Sequence, residues 1–231
     1  MAHEPTNLLL TSLPAEDREF LLARMQPVAL PIGTVLHESG ERPTFAHFMI
    51  TGLTSIVTTM ADGTGTEVGL IGREGLPEAV DLIGPIPPPT RAFIQVEGAA
   101  LRIRFADLEK FLQSSSAFRQ RLLQSVQCQT FILGQLTACN GLHEIEERLA
   151  RWLLMVGDRL ESERFYLTQE FLADMLGARR TSVTLAAGSL QHSGIIQYRR
   201  GHIQIVDRAA LQDVACECYP IARDLLINQY Q

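Results

Sequence analysis

Short apolar segments separated by glycine-containing turns occupy the chain from about residue 30 to residue 105. Six segments combine β-branched residues with an alternation of apolar and polar positions, which is typical of half-buried strands. They span residues 34–36, 45–50, 54–59, 67–71, 91–96 and 100–105, and the turn glycines between them are Gly33, Gly40, Gly52, Gly63, Gly72 and Gly75. The pattern predicts an all-β barrel or sandwich, preceded by a short capped helix within the first 25 residues.

The hydrophobic period changes from two to nearly four after Asp107. Residues 116–140 contain no proline and one glycine, and apolar or amide side chains recur at intervals of four and three, as in a coiled coil. These positions are Leu122, Val126, Gln129, Leu133, Leu136 and Asn140. The helix could pack on its own β domain, or it could form a homodimer through this row. Its length favours the homodimer, with Leu122, Val126, Gln129, Leu133 and Leu136 in the interface.

A second helical pattern covers residues 144–160, after Asn140 and Gly141. Its apolar positions lie on one face, and Trp152 among them is expected to belong to the core. The charged residues of the opposite face are expected to form a solvated surface. They are Glu146, Glu147, Arg148 and Arg151.

Residues 165–206 follow the order of a winged helix-turn-helix. Thr168 has the side chain of a helix N-cap, and Gly177 permits a sharp turn after the first helix. A second helix is predicted over residues 179–192, with Val183, Ala187 and Leu190 packed against the first. Two short strands over residues 195–198 and 202–206 then flank the cationic turn Arg199-Arg200-Gly201. The complete order over about 40 residues favours DNA binding over a purely structural helical domain.

Charge separates this segment from the rest of the chain. Residues 164–206 carry five arginines and two carboxylates, a net charge of +3, whereas residues 1–112 carry 14 acidic and 8 basic side chains. The net charge of −6 for the whole chain argues against a protein that coats nucleic acid over its entire surface. The basic segment is therefore the candidate for nucleic-acid contact.

Several classes of protein lack support in the sequence. The apolar runs are too short to span a bilayer and the N-terminus lacks a basic region, so a cytoplasmic protein with no membrane partner is expected. None of the four cysteines belongs to a CxxC pair, which fits reduced thiols. The chain contains no GxSxG, HExxH or P-loop motif, so it is not expected to be an enzyme.

From about residue 8 to residue 206 the chain resembles the Crp/Fnr family of bacterial transcription regulators. The resemblance rests on LPIGTVLHESGE, FMITGLTSIVTT and VGLIGREG in the β region, and on LTQEFLADMLGARRTSVT near the C-terminus. It implies an α+β fold with an N-terminal β-roll over residues 1–112, a dimerisation helix over 113–141 and a winged helix-turn-helix over 142–231. Double-stranded DNA, a second copy of the chain and RNA polymerase are the partners that it implies.

The resemblance also implies roles for individual residues of the second helix. Arg179 and Ser182 fall where the family contacts phosphates, and Arg180, Thr181, Thr184 and Leu185 fall where it reads bases. Many members have glutamate and arginine at the positions of Thr181 and Leu185, so a different half-site is expected, with Arg180 as the guanine reader. Thr168 and the turn arginines Arg199 and Arg200 complete the predicted DNA-binding set.

The cyclic-nucleotide-binding members of the family have a Gly-Glu-Leu turn and an Arg-Ser pair that cradle the nucleotide. Pro77-Glu78-Ala79 stands at the first position here, and Thr90 takes the arginine position, with Arg91 one place later. In a strand, that shift turns the side chain to the other face. A β-roll without the full cyclic-AMP cassette and with no cofactor is therefore predicted. Glu78, Thr90 and Arg91 remain candidates for an anionic effector pocket, and a cyclic-nucleotide-responsive regulator is the alternative.

Other sensing chemistries receive less support. No cysteine precedes Cys128, which argues against an N-terminal iron–sulfur cluster. His37 or His47 could ligate haem, but a lone histidine in a β-roll is more often structural. Cys216 and Cys218 are expected to be partly buried thiols, and no metal site is predicted because two thiols do not close one. A regulator without a small ligand, and a ligand-binding β-roll module without DNA function, stay open.

Overall fold

The computed structural model describes residues 6–231 and shows an α+β chain with two compact units. The first unit contains residues 6–58, 68–130 and 227–231, and the second contains residues 59–67 and 131–226. Predictions for the first five residues lie outside the described part of the chain. Among residues 6–231, no helix combines the length and the apolar character needed to cross a membrane.

An antiparallel sheet forms most of the first unit. Two short helices, α1 (Leu8–Thr11) and α2 (Ala15–Leu22), precede it, and α3 (Phe105–Ser114) follows its last strand. Its strands are β1 (Gln26–Leu30), β2 (Val35–His37), β3 (Phe45–Thr59), β4 (Gly65–Ile71) and β5 (Arg91–Arg104). They are ordered β1-β5-β3-β4, and β2 also pairs with β5. The predicted β domain is confirmed, while strand β1 was not predicted.

Two long strands replace four of the predicted short ones. Gly52 was predicted to be a turn, but it lies inside β3, where the register with β5 shifts around residues 49–54. A Cβ on Gly52 would lie 2.6 Å from the carbonyl oxygen of Val96, and one on Gly98 would lie 2.1 Å from that of Thr51. The two glycines therefore allow the strands to approach closely at an irregularity, and neither ends a strand.

The core of the first unit lies between the sheet and its helices. Phe48 and Ile103 from the strands pack with Leu108 and Phe111 of α3 and with the beginning of the next helix. Phe20 stacks on Phe111 with a ring-centroid distance of 5.0 Å. The core thus includes the start of the long helix that the sequence assigned to dimerisation.

The long helix α4 (Ser116–Leu142) begins in the first unit and ends in the second. The second unit continues with α5 (Ile145–Leu160), β6 (Arg164–Tyr166), α6 (Gln169–Leu176), α7 (Arg180–His192), β7 (Ile196–Arg199), β8 (His202–Ile205), α8 (Arg208–Val214) and α9 (Cys218–Ile227). The order of the small sheet is β6-β8-β7. The predicted helices and hairpin are present, and β6 adds a third strand that the sequence analysis missed.

Helix α5 is the central helix of the second unit. It begins with a capping box between Glu144 and Glu147, and it packs against both α7 and α8. Trp152 is buried, as predicted. The prediction of a solvated charged face was wrong for Arg148 and Arg151, which are only 9% and 3% exposed, because neighbouring helices cover more than one side of α5.

Candidate nucleic-acid interface

Local interactions set the angle between α6 and α7. The Thr168 hydroxyl accepts a hydrogen bond from the Phe171 amide at 3.2 Å, so Thr168 is the N-cap that the sequence predicted. Gly177 ends α6 in the left-handed conformation with a φ of 56°. The Gly177 and Ala178 amides donate to carbonyls of the last turn of α6, and the chain then turns into α7.

One side of α7 packs into the second unit. Val183, Ala187 and Leu190 are buried there, as predicted, together with Ala186. The residues on the opposite side are exposed, namely Arg179, Arg180, Thr181, Thr184 and Leu185. Leu185 is 76% exposed. This face of α7 has no large side chain that would prevent its approach to a groove.

The cations of this surface have no acidic partners in the part of the chain that the structure describes. Among residues 6–231, no carboxylate forms a salt bridge with Arg179, Arg180, Arg199 or Arg200. Their charges are available to an external anion, since internal ion pairs do not neutralise them.

The remaining predicted contact residues have mixed environments. The Thr184 hydroxyl donates to Gln169 Oε1 at 3.0 Å and to the Arg180 carbonyl at 2.9 Å, so it already joins α7 to α6. Ser182 is half-buried beside the start of the helix. The exposed face is thus provided mainly by Arg179, Arg180, Thr181 and Leu185.

The hairpin between β7 and β8 turns at Arg200-Gly201. Both residues have positive φ, 51° and 84°, as in a two-residue hairpin turn of the type that favours Asn-Gly. The left-handed conformation is unusual for arginine. Gly201 also leaves room for Tyr166, because a Cβ there would lie 2.5 Å from the ring in its present position.

Tyr198 holds the hairpin against the start of the helix pair. Its hydroxyl donates to the Leu167 carbonyl at 2.7 Å, and its amide donates to Gln191 Oε1 at 3.0 Å. Burial raises the pKa of Tyr198 to about 12, so the phenol stays protonated and keeps this hydrogen bond at neutral pH. The position of Arg199 and Arg200 is therefore tied to that of α6.

In the first unit, Glu78 and Arg91 have different partners. Glu78 is fully buried, where it accepts from the His47 amide at 3.0 Å and lies 2.7 Å from His47 Nδ1. Arg91 pairs with Glu38 at 3.2 Å near the surface, and Thr90 is half-buried. The structure therefore does not join the predicted effector residues through a shared contact.

Two further titratable residues lie near Glu78. Burial, and secondarily the charge of Glu78, raises the pKa of Asp81 to about 6. His37 is buried, neither of its ring nitrogens has a hydrogen-bond partner among residues 6–231, and burial lowers its pKa. His37, His47, Glu78 and Asp81 form a buried polar cluster that the sequence analysis did not group together.

The predicted dimer row on α4 is divided between two environments. Leu122 is 1% exposed in the core of the first unit, so the prediction that it faces a partner needs correction, while Val126 is half-buried against that core. Gln129 and Leu136 are half-buried, and Leu133 is exposed. The neighbouring row contributes Leu123 and Phe131, which are 50% and 54% exposed. Spacing alone could not distinguish the row that faces the chain's own core.

Sequence analysis also missed a group of possible ligand atoms in the second unit. Cys139 and His143 lie beside Cys216 and Cys218, which the sequence predicts only as a pair of thiols. A hydrogen bond from Cys216 lowers the pKa of Cys139 to about 5, and one to Cys139 raises the pKa of His143. The four-residue spacing of Cys139 and His143 at a helix end was the available signal.

Comparison with known proteins supports this view of the second unit. The Crp-like helix-turn-helix domain family matches residues 147–214. A CRP-like cAMP-activated global transcriptional regulator from Mycobacterium tuberculosis (strain CDC 1551 / Oshkosh) is 22% identical over 198 residues, which cover 83% of this chain and 88% of that protein.

Solved structures share the fold over most of the chain. A CRP-family transcriptional regulator from Thermus thermophilus superposes with a TM-score of 0.68 at 19% identity, covering 83% of this chain and 96% of the other. The c-di-GMP responsive global regulator CLP from Xanthomonas campestris gives 0.67 at 17% identity, covering 83% and 99%. The mycobacterial regulator is named for cAMP and CLP for c-di-GMP, so the shared fold does not identify an effector.

Proposed function

Because the chain is a Crp/Fnr-type DNA-binding transcription regulator with a Crp-like helix-turn-helix domain, we propose that it reads a near-palindromic site as a homodimer through α7. The exposed face of α7, with two arginines that lack carboxylate partners inside the matched domain, carries this proposal. Two such helices would enter successive major grooves about one helical turn apart. The chain acts as a regulator and not as an enzyme.

The residues of α7 would divide between phosphate and base contacts. Arg179 and Ser182, at the start of the helix, would bind phosphates and set the register of the protein on DNA. Arg180 would donate to a guanine edge, and the apolar part of Leu185 would contact a thymine methyl group. Thr181 would add a hydroxyl contact, while Thr168 and Thr184 would mainly hold the two helices in place.

Arg199 and Arg200 would contact the phosphates beside the groove. Arg200 supports this role because its left-handed backbone is a conformation that asparagine or glycine would adopt at lower cost. The cost of an arginine in this conformation would be offset by a gain in free energy from contact with an external anion. A phosphate contact is the simplest source of that gain.

The second copy would bind through the apolar side chains of α4 that the described chain leaves exposed. Leu123, Phe131 and Leu133 are apolar side chains left in water on a helix of 27 residues. Burying them against their equivalents would remove apolar surface from solvent. Phe131→Glu is expected to shift the purified protein towards the monomer in sedimentation velocity. Ile86→Glu, at an exposed apolar residue outside α4, should leave the dimer intact.

The β domain would control DNA binding without cyclic AMP. The Glu78 carboxylate already contacts the His47 ring, and the Arg91 guanidinium already pairs with Glu38. These internal contacts support a sensor without the complete cyclic-AMP cassette. The alternative is a cyclic-nucleotide-responsive regulator, favoured by the cAMP-activated relative. RNA polymerase is the further partner that we propose at the promoter, and the domain boundaries that we propose remain near residues 112 and 141.

Selection of bound sequences from random duplex DNA tests this function directly. The purified protein would be used in about 150 mM salt, since electrostatic affinity depends strongly on salt, and with or without cyclic AMP. Enrichment of a palindrome with half-sites about 10 base pairs apart in both arms is expected. Enrichment only with the nucleotide would establish the alternative, and no enrichment in either arm would favour a β-roll module without DNA function.

A further inference from the structure

Four side chains with metal-binding atoms meet in the second unit, and none of them belongs to α7. The sulfur atoms of Cys139, Cys216 and Cys218 and a ring nitrogen of His143 all lie within 4.8 Å of one another. Cys139 Sγ is 3.5 Å from Cys216 Sγ, and Cys218 Sγ is 3.7 Å from His143 Nδ1. Three thiols and one imidazole are one of the donor sets of structural zinc sites.

Two distant segments supply these donors. Cys139 lies in the last turn of α4, and His143 follows the helix by one residue, so both project from the same side. Cys216 and Cys218 flank Glu217 where α8 gives way to α9. The three cysteines are buried, and the His143 side chain is 19% exposed, so the site is shielded without being sealed.

The separations fit a single ion in a tetrahedron. With Zn–S bonds of about 2.3 Å and Zn–N bonds of about 2.0 Å, the edges of the tetrahedron are about 3.5 to 3.8 Å long. Two of the six edges, Cys139 Sγ to Cys216 Sγ at 3.5 Å and Cys218 Sγ to His143 Nδ1 at 3.7 Å, lie in this range, and all six are within 4.8 Å. Four donors gathered this closely favour one ion over a polynuclear iron–sulfur cluster, whose irons and sulfides need more room.

Neighbouring side chains complete the arrangement expected around a metal. His143 Nε2 lies 3.1 Å from Glu217 Oε2, while Nδ1 faces Cys218, so the carboxylate orients the ring with one nitrogen towards the cysteines. Gln135 Nε2 donates to Cys218 Sγ at 3.1 Å. Carboxylate-bound histidines and hydrogen-bonded thiolates are typical outer contacts of metal sites.

The buried arginines of α5 provide compensating charge. Arg151 acts electrostatically on Cys139, and Cys139 and Cys216 act on Arg148. Nε of each guanidinium is buried without a hydrogen-bond partner in the described chain. One divalent ion with three thiolates and a neutral imidazole carries a net charge of −1, which these cations would offset. Arg148 also donates to the Leu176 carbonyl and Arg151 to Met155 Sδ, but neither contact neutralises the buried charge.

We propose that Cys139, His143, Cys216 and Cys218 bind one zinc ion per chain. Binding would hold all three sulfurs as thiolates and release the protons that the donor atoms still carry, while His143 binds as the neutral imidazole through Nδ1. The ion would fasten the segment between α8 and α9 to the end of α4 within the second unit. It would thus serve as a structural clamp, and this role does not depend on which DNA sequence α7 recognises.

Metal analysis of the full-length protein purified without chelator tests the site. Elemental analysis by mass spectrometry is expected to show about one zinc per chain. Replacement of zinc by cobalt should give the intense visible absorption of tetrahedral cobalt with thiolate ligands. Cys216→Ser and His143→Asn should lower the zinc content and alter the cobalt spectrum. Cys128→Ser removes a buried cysteine of α4 outside the set, and it should leave both unchanged.

A positioning role of Glu217 gives a graded test. Glu217→Gln keeps all four ligands, and it should weaken zinc binding by about 10- to 100-fold in competition with a chromophoric chelator. Circular dichroism of each variant with and without zinc separates loss of metal from loss of fold. Arg180→Ala should keep the full zinc content, so a failed DNA assay and a failed metal assay can be told apart.

Three results would overturn the proposal. The first is a protein without zinc whose metal-free form gives no tetrahedral thiolate spectrum with cobalt. The second is iron with inorganic sulfide in place of zinc. The third is a Cys139–Cys216 disulfide that forms in the native protein and excludes metal, which would make the pair a redox couple.

Discussion

The exposed face of α7 and the buried polar cluster of the first unit use charged groups in opposite ways. Arg179 and Arg180 point to solvent and have no carboxylate partner among residues 6–231. Glu78 lies fully buried and is bound by the amide and the imidazole of His47. Charges without internal partners are available to a polyanion, whereas internally paired charges stabilise the fold and titrate with it.

This difference also separates the candidate effector site of the first unit from the candidate DNA site of the second. A cyclic phosphate would need a cation that is free to meet it, but Arg91 is already paired with Glu38. A DNA phosphate meets Arg179 without any pair having to break. The comparison thus predicts that substitutions in the buried cluster change stability and that substitutions on α7 change DNA affinity.

The largest effect is expected from Glu78→Ala. Removing this carboxylate leaves the buried His47 side chain and amide without their acceptor, and it should lower the free energy of unfolding by about 3 kcal/mol. Urea unfolding at neutral pH measures the change. Glu78→Gln keeps a hydrogen-bond acceptor, so it should lower the free energy of unfolding by a smaller amount. If Glu78→Ala lowered DNA affinity without lowering stability, the proposed contrast between a stabilising cluster and a DNA-binding surface would be wrong.

Arg180→Ala should weaken binding to the selected DNA site by about 10- to 100-fold, equivalent to about 1–3 kcal/mol, and relax the preference at one base pair. Stability should stay the same, because the side chain is exposed. Fluorescence anisotropy with the selected duplex provides the affinity. Arg18→Ala removes the same charge from α2 and is the matched control. Equal effects of the two substitutions would show that only net charge matters.

Asp81→Asn should produce a smaller effect that depends on pH. The pKa of Asp81 is about 6 in the folded protein, above the ordinary value of 3.8, so ionisation is less favourable in the folded than in the unfolded chain. Its contribution to stability is therefore undiminished below about pH 4 and is lost as the pH rises through about 6. Urea midpoints measured at about pH 4.5 and at about pH 7 should differ less for Asp81→Asn than for the unsubstituted chain. If the urea midpoint changed equally with pH in the two proteins, the raised pKa would not belong to Asp81.

The smallest effect on stability is expected from Arg200→Asn, and its sign is the informative part. Asparagine suits the left-handed conformation at φ 51°, so the substitution should raise the free energy of unfolding by about 0.5 kcal/mol. It should also weaken DNA binding and reduce its salt dependence, because one phosphate contact is lost. Thermal unfolding and anisotropy at two salt concentrations measure both changes. Unchanged DNA binding would show that Arg200 makes no phosphate contact.

Structural features that depend on a short stretch of chain were predicted well. Thr168, Gly177 and the buried side of α7 lie within about 25 residues of one another, and each acts through hydrogen bonds or packing to near neighbours. The long helix α4 was also evident from its period. Its orientation was not, since Leu122 and Leu123 each belong to a repeating row and only the packed core shows which row is covered.

The predictions of strand boundaries failed for a related reason. Gly52 was predicted to be a turn residue, but its role and that of Gly98 depend on the close approach of β3 and β5, which are distant in the chain. The buried arginines of α5 were misjudged in the same way. An isolated helix offers one solvated face, and the sequence does not show that α7 and α8 both pack against it.

The sequence by itself determined the class of the protein, because the helix pair, its glycine turn and its cationic hairpin are specified by residues close together in the chain. Only the tertiary structure decided which charged groups are free, which are paired and which donors meet. Cys139 and Cys216 are 77 residues apart, and no periodicity links them. Their separation of 3.5 Å results from the packing of α9 and its preceding turn near the end of α4, a long-range arrangement that local propensities do not encode.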